Sequence, residues 1–307
     1  MRFMFTRLTL MMMVCLLGAR GEVAPAKLVG PGVWFLLGDS HKGYSNTIVI
    51  EMKDYLIVVD ANYPGRAKEL LVDIPKLSPK PVKWVFDTHA HGDHSYGNSV
   101  WTRAGATTMA YRAMLGEMDR YEPTRWQAVM AKRDDVRALH EDDVQRPQKS
   151  FSKSPFVLTD GTRRVEFLFL GWGHTPGDGY VWLPKERVLC TGDAAVNGPR
   201  NKLWDANLAN WPRVLSRAIA LRPVAVLPGH GAAGGVEILV GQRWFLLDLY
   251  RAVAKQLKEG KVPTGTSVQL PERDANWALP DMSQDVGIVA SEIEQGQPAG
   301  ALPHEWK

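Results

Sequence analysis

Short apolar and β-branched runs recur along the chain, separated by turns rich in Gly, Pro and Asp, and a few longer segments carry helical spacing. Short apolar runs bounded by turn formers read as strands. That pattern predicts strands over 33–37, 47–51, 55–59, 82–86, 164–170, 179–183, 187–190 and 224–227. Helical spacing predicts helices over 66–76 and 211–221, with a longer one near 235–259. The stretch 111–149 differs: it is rich in Arg, Asp, Glu, Met and Trp and is helical rather than alternating. It reads as an inserted helical segment over the domain, either a lid at the mouth of a site or an interface. Beyond 261 the chain turns Pro- and Gly-rich, with one short helix expected near 283–294. Strands mixed with helices point to an α/β (α+β) domain with covered sheets. The expected organisation is a main domain over 22–260 and a C-terminal extension over 261–307. There is no internal repeat or low-complexity tract.

Composition narrows the class. Of 307 residues, 45% are hydrophobic and 23% charged, which is ordinary for a globular protein and excludes disordered, collagen-like and disulfide-framework chains. The formal net charge is +4, but Arg2, Arg7 and Arg20 lie in the first 21 residues without an acid; removing those three charges leaves +1. A near-neutral chain gives no electrostatic case for nucleic acid or an anionic membrane.

Arg2 and Arg7 precede an apolar run over 8–17, followed by Gly18-Ala19-Arg20-Gly21. A positive start, a short apolar core and small residues at a cut site make a secretory signal peptide over 1–21, cleaved after Gly21. The run falls short of the about 20 apolar residues that span a bilayer. No other stretch approaches that length, so the mature protein is expected to be soluble and periplasmic or secreted. The residues before Cys15 (Met12, Met13, Val14) lack the small residue of a lipid-attachment site. With Cys15 in the signal, Cys190 stands alone, no intramolecular disulfide can form, and Cys190 reads as a packed core thiol.

The strongest chemical signal is Thr88-His89-Ala90-His91-Gly92-Asp93-His94, directly after an apolar strand. Imidazole and carboxylate are the ligands that borderline cations such as zinc accept. Residues two apart in an extended turn point to the same side, so His89 and His91 can grip one ion. Asp93 and His94, entering a helix, can face a neighbouring one. Three more residues share one placement, each a few positions past an apolar strand in a Gly/Pro turn: His174 in Gly-Trp-Gly-His-Thr-Pro-Gly, Asp193 in Cys-Thr-Gly-Asp-Ala and His230 in Leu-Pro-Gly-His-Gly. Loops at one sheet edge hold functional groups on a rigid frame. Five of the eight histidines sit in these turns; His140 and His304 read as solvated surface residues.

Taken in order, Thr88–His94, His174, Asp193 and His230 resemble the metallo-β-lactamase superfamily, as does Asp60 at the close of Tyr55-Leu-Ile-Val-Val-Asp60. The resemblance runs from about Val33 to Gly231. It implies an αββα sandwich, two mixed β-sheets flanked by helices, with a dinuclear site at one edge and two zinc ions per chain. By the same resemblance His89, His91 and His174 hold the first metal, Asp93, His94 and His230 hold the second, and Asp193 bridges both. Asp60 would support the ligand loop without binding metal. Two zinc ions sharing a water lower its pKa toward about 7, so an exported zinc hydrolase of an ester, thioester, lactone or amide is implied. Asp93 would orient the nucleophile.

Stretches of the chain are similar to true zinc β-lactamases: 171–184, and Asp205-Ala-Asn-Leu-Ala-Asn-Trp-Pro. Two positions depart from that subclass. It has a cysteine ligand where Asp193 stands, and an anchoring lysine where Val196 stands. A bridging aspartate resembles hydroxyacylglutathione hydrolases and lactonases instead. An iron-dependent oxidoreductase on the same fold, similar to persulfide dioxygenases, is the alternative. Flavodiiron proteins carry a glutamate where His91 stands, so the histidine favours zinc. Trp172, Trp204 and His41, the last in a segment where the family carries a mobile flap, are candidate contacts for a small-molecule substrate.

Overall fold

The computed structural model describes residues 26–199 and 202–301. The expected signal segment and His304 lie outside the described residues.

Seven strands run side by side in chain order to form the first sheet: β1 (Lys27–Gly30), β2 (Val33–Leu36), β3 (Thr47–Glu51), β4 (Leu56–Val59), β5 (Val82–Asp87), β6 (Thr107–Tyr111) and β7 (Lys149–Phe151). Neighbours from β1 to β4 are antiparallel, and those from β4 to β7 are parallel. The second sheet has five strands: β8 (Phe156–Thr159), β9 (Arg164–Leu168), β10 (Tyr180–Leu183), β11 (Val188–Gly192) and β12 (Ala225–Pro228), in the order β12-β11-β10-β9-β8. Only β11 and β12 pair in parallel. All eight predicted strands are present. Both sheets are mixed, as expected.

Strand alternation builds the layers, because successive side chains point to opposite faces. Val33, Phe35, Ile48, Ile50, Ile57 and Val59 meet Val181, Leu183, Val188, Cys190 and Leu227 between the two sheets. Val49, Leu56, Val58 and Val85 point the other way, under α1 (Pro64–Asp73), α3 (Asn98–Arg103) and the insert. The insert comprises α4 (Arg112–Tyr121), α5 (Thr124–Met130) and α6 (Asp134–Arg137), whose Met114, Met118, Trp126 and Val136 join that outer core. On the far side Tyr180, Trp182, Leu189 and Val226 pack under α7 (Trp211–Ala220), α8 (Glu237–Lys258) and α9 (Ser283–Gln295). The result is an αββα sandwich.

Each covering helix buries one stripe. In α7, Trp211, Val214, Leu215 and Ala218 are buried at helical spacing, and Pro212 in the first turn suits its entry. Burying each large apolar side chain stabilises the fold by about 1.5–3 kcal/mol. The C-terminal region is part of this layer: Trp277, Met282, Val286 and Val289 share the cluster under α8. Among the described residues no helix is long and apolar enough to cross a membrane.

The parallel pairs β4–β5 and β11–β12 send their C-terminal loops to the same edge of the sandwich. Since β9 and β11 both run antiparallel to β10, the loop after β9 arrives there too.

Candidate metal centre

At that edge β5 ends and the chain bends through Thr88–His91 into α2 (Gly92–Ser95), a single helical turn whose N-cap, His91, has an extended backbone. His89 and His91 approach from the bend, and Asp93 and His94 from the helical turn. The loops after β9, β11 and β12 deliver His174, Asp193 and His230. All seven are buried. Their ligand-capable atoms form two groups, each within 4.8 Å: His89, His91, His174 and Asp193, then Asp93, His94 and His230.

The distances are those of ligands around an ion. His91 Nδ1 lies 3.1 Å from His89 Nε2 and 3.2 Å from His174 Nε2. Neighbouring ligands of a tetrahedral zinc with bonds of 2.0–2.1 Å stand about 3.3 Å apart. In the second group His230 Nε2 lies 3.0 Å from Asp93 Oδ2, and His94 Nε2 lies 3.8 Å from the same oxygen. Asp193 faces both groups: Oδ1 is 3.4 Å from His94 Nε2, while Oδ2 is 3.5 Å from His230 Nε2 and 4.0 Å from His174 Nε2. His94 Nε2 and Asp193 Oδ1 are buried without a hydrogen-bond partner. Such orphaned groups cost about 1–3 kcal/mol each unless something else satisfies them. A divalent cation does so, and the donor set fits one.

The electrostatics agree. Burial, then the neighbouring imidazoles His94, His91 and His174, hold His89 well below its ordinary range. Burial also lowers His91, and burial with His91 nearby brings His174 down to about 3. These rings are neutral and ready to donate lone pairs. His94 goes the other way: Asp193, Asp60 and Asp93 raise it well above its ordinary range, against the burial that would lower it. Burial alone would raise Asp93 and Asp193, yet both carboxyls are held well below the usual range. Lys202, His94 and His230 act on Asp93; His230, His94 and His89 act on Asp193.

Outer carboxylates aim the rings. Asp60, at the end of β4 with a left-handed backbone (φ 70°), accepts the His94 Nδ1 proton at 2.8 Å and the Thr88 backbone N–H at 2.8 Å. Asp205 accepts from His91 Nε2 at 2.9 Å. Arg125 of α5 donates to both Asp205 oxygens, at 2.8 and 2.9 Å. The His174 loop is pinned by Asp178, which accepts the His174 N–H at 2.7 Å and the Thr175 N–H at 2.9 Å, and by Glu117, which accepts the Gly177 N–H at 3.0 Å. Asn46 ties the sheet edges together, donating to the Pro228 and Gly231 carbonyls at 2.8 Å each. Gly229 is required: a Cβ there would stand 2.2 Å from Asp193 Oδ1.

The candidate substrate contacts fall differently. The Trp204 ring centroid is 6.2 Å from that of His91, edge-on, with Lys202 Nζ 5.4 Å over the indole. Trp172 spends its indole N–H on the Asp205 carbonyl at 2.9 Å. His41 stays exposed on the loop between β2 and β3 and makes no hydrogen bond or ring contact with the seven residues. Asp205, Arg125, Asp178 and Glu117 were not singled out from sequence. Asp205 lies in a stretch noted for resemblance, which was its only signal.

A family profile described as "Metallo-beta-lactamase superfamily" matches residues 42–230. The chain is 34% identical over 202 residues to a protein of Bacteroides fragilis described as "Metallo-beta-lactamase type 2", covering 64% of this chain and 72% of that one. It is 28% identical over 206 residues to a protein of Bacillus cereus with the same description, covering 64% and 70%. Among solved structures, a metallo-β-lactamase from Pontibacter korlensis matches with a TM-score of 0.58 at 20% identity, covering 73% of this chain and 98% of that one.

Proposed function

The chain belongs to the metallo-β-lactamase superfamily of hydrolases, and from that premise we propose that it is an exported dinuclear zinc hydrolase. Its substrate is a small molecule with an ester, thioester, lactone or amide bond, a β-lactam amide included. The observation that carries this reading is the convergence of seven buried donors in two adjoining groups. His89, His91 and His174 would hold one zinc and Asp93, His94 and His230 the other, with Asp193 shared between them. When bound, such a pair lowers the pKa of water toward about 7 and polarises a carbonyl.

The chain's own groups do the rest. Asp93 keeps an ionised carboxylate at the centre and is placed to orient the attacking oxygen and accept its proton. Asp60 and Asp205 hold one nitrogen of His94 and of His91, leaving the opposite nitrogen turned inward. Trp204 stands edge-on to His91 at one side of the centre. Cys190 is buried between the sheets, with its thiol pushed up by burial, and takes no part.

The names of the relatives favour β-lactams among the substrates, while Asp193 and Val196 widen the choice. The test is hydrolysis of a chromogenic cephalosporin, a lactone and a thioester by purified protein whose metal content is measured. Turnover of one of them with two zinc per chain supports the reading. One iron per chain, or no turnover of any of the three, overturns it. For export, recovery in the periplasm or medium with Glu22 as first residue is expected, and a cytoplasmic chain retaining residues 1–21 contradicts it.

A further inference from the structure

The helical insert meets the metal centre at two places: Glu117 of α4 holds the His174 loop, and Arg125 of α5 reaches a ligand through one carboxylate. Arg125 sends both terminal nitrogens to Asp205, and Asp205 Oδ2 also takes the His91 Nε2 proton at 2.9 Å, so one carboxylate links the insert to a ligand. The guanidinium lies 3.7 Å over the Tyr121 ring of α4, so both helices fix it. The end of the described chain backs the same loop. A Cβ on Gly300 would stand 2.7 Å from the Asp205 carbonyl oxygen, and the Gly300 carbonyl accepts from Arg120 at 2.6 Å. Asp60 is held instead by backbone: its N–H donates to the Phe86 carbonyl of β5, and its Oδ1 accepts the Thr88 N–H.

We propose that the insert braces the first metal pocket: Arg125 is a positioning residue that, through Asp205, turns His91 toward the ion and couples docking of α4 and α5 to metal binding. This rests on reading the seven residues as a metal centre. The Asp205 side chain is 1% exposed. Without Arg125 its buried negative charge keeps only His91 and loses the fork that fixes the carboxylate plane. The imidazole is then free to swing, and Nδ1 loses its aim. Coupling is reciprocal: if a docked insert strengthens metal binding, metal binding strengthens docking by the same factor.

The test combines zinc titration of chelator-stripped protein against a chromophoric competitor with hydrogen exchange of residues 112–130 as zinc is added. Arg125→Gln is expected to lose about tenfold in affinity at the first site, with the second unchanged. Arg125→Lys keeps the charge but not the fork and should fall between. In the wild type, filling the first site should slow exchange across 112–130, and Arg125→Gln should lose that effect. Wild-type exchange that ignores zinc overturns the brace whatever the variant does, as does unchanged affinity in Arg125→Gln. Zinc binding with the expected coupling but no hydrolysis would instead remove the proposed hydrolase activity and leave the brace standing.

Discussion

His94 and His91 are each turned by a buried carboxylate, yet what holds those carboxylates differs. Asp60 sits between two central strands, where its Oδ1 takes a backbone N–H from the very loop that carries the ligands. Its conformation follows from the inter-sheet core. Asp205 sits on a loop after β11 and depends on Arg125 from an inserted helix 80 residues away in sequence. The second pocket is therefore built into the sandwich, while the first needs peripheral elements to be docked. Neighbouring sites with such similar donors can differ in affinity, proton coupling and response to damage, and the difference lies outside the ligands.

Removing the residue common to both pockets should have the largest effect. Asp193→Ala is expected to cut hydrolysis by at least about a hundredfold and to lower bound zinc below two per chain; full metal content would show that Asp193 is not shared. Next comes Asp60→Asn. An amide has one accepting oxygen and so cannot serve both His94 and Thr88 as the two carboxylate oxygens do, and second-site affinity should drop about 10- to 100-fold with the first site intact. Loss at both sites would erase the distinction between the pockets.

Acid sharpens the same contrast. The first-site rings are neutral at pH 7, because burial and neighbouring imidazoles depress them, so metal binding there displaces no imidazole proton. His94 is raised by its carboxylates and must lose a proton to bind metal. Second-site affinity should then fall more steeply with acid than first-site affinity, by up to about tenfold per pH unit for the one His94 proton. Equal slopes in zinc titrations at pH 7.5 and 6 would contradict this. The smallest effect is expected at Cys190, 0% exposed between the sheets. Cys190→Ala should cost about 1 kcal/mol in a denaturant melt and leave zinc affinity and hydrolysis unchanged; loss of either would bring the thiol into the site.

How much of this was legible depended on burial and range. Strands with two buried faces, β2 to β5 and β9 to β12, could be read from the residues, β12 included although it lies at a sheet edge. Three strands that escaped prediction, β1, β7 and β8, are sheet edges with partly exposed or very short sequences. The fourth, β6, is short, lies just ahead of the expected insert and shares only Tyr111 with it, and its Thr-Thr-Met-Ala-Tyr has no long apolar run to mark a strand. The histidine-rich turn was legible because its donors lie within six positions. The Asp205–Arg125 pair was not, because a buried acid looks like any of the 33 acids until the fold brings its partner to it.

The most direct measurement is a calorimetric zinc titration of the chelator-stripped chain with hydrolysis followed in the same samples. Two adjoining pockets predict two equivalents bound in distinguishable steps, with turnover completed by the second. A single equivalent, or full activity after the first, would contradict a centre that works as a pair.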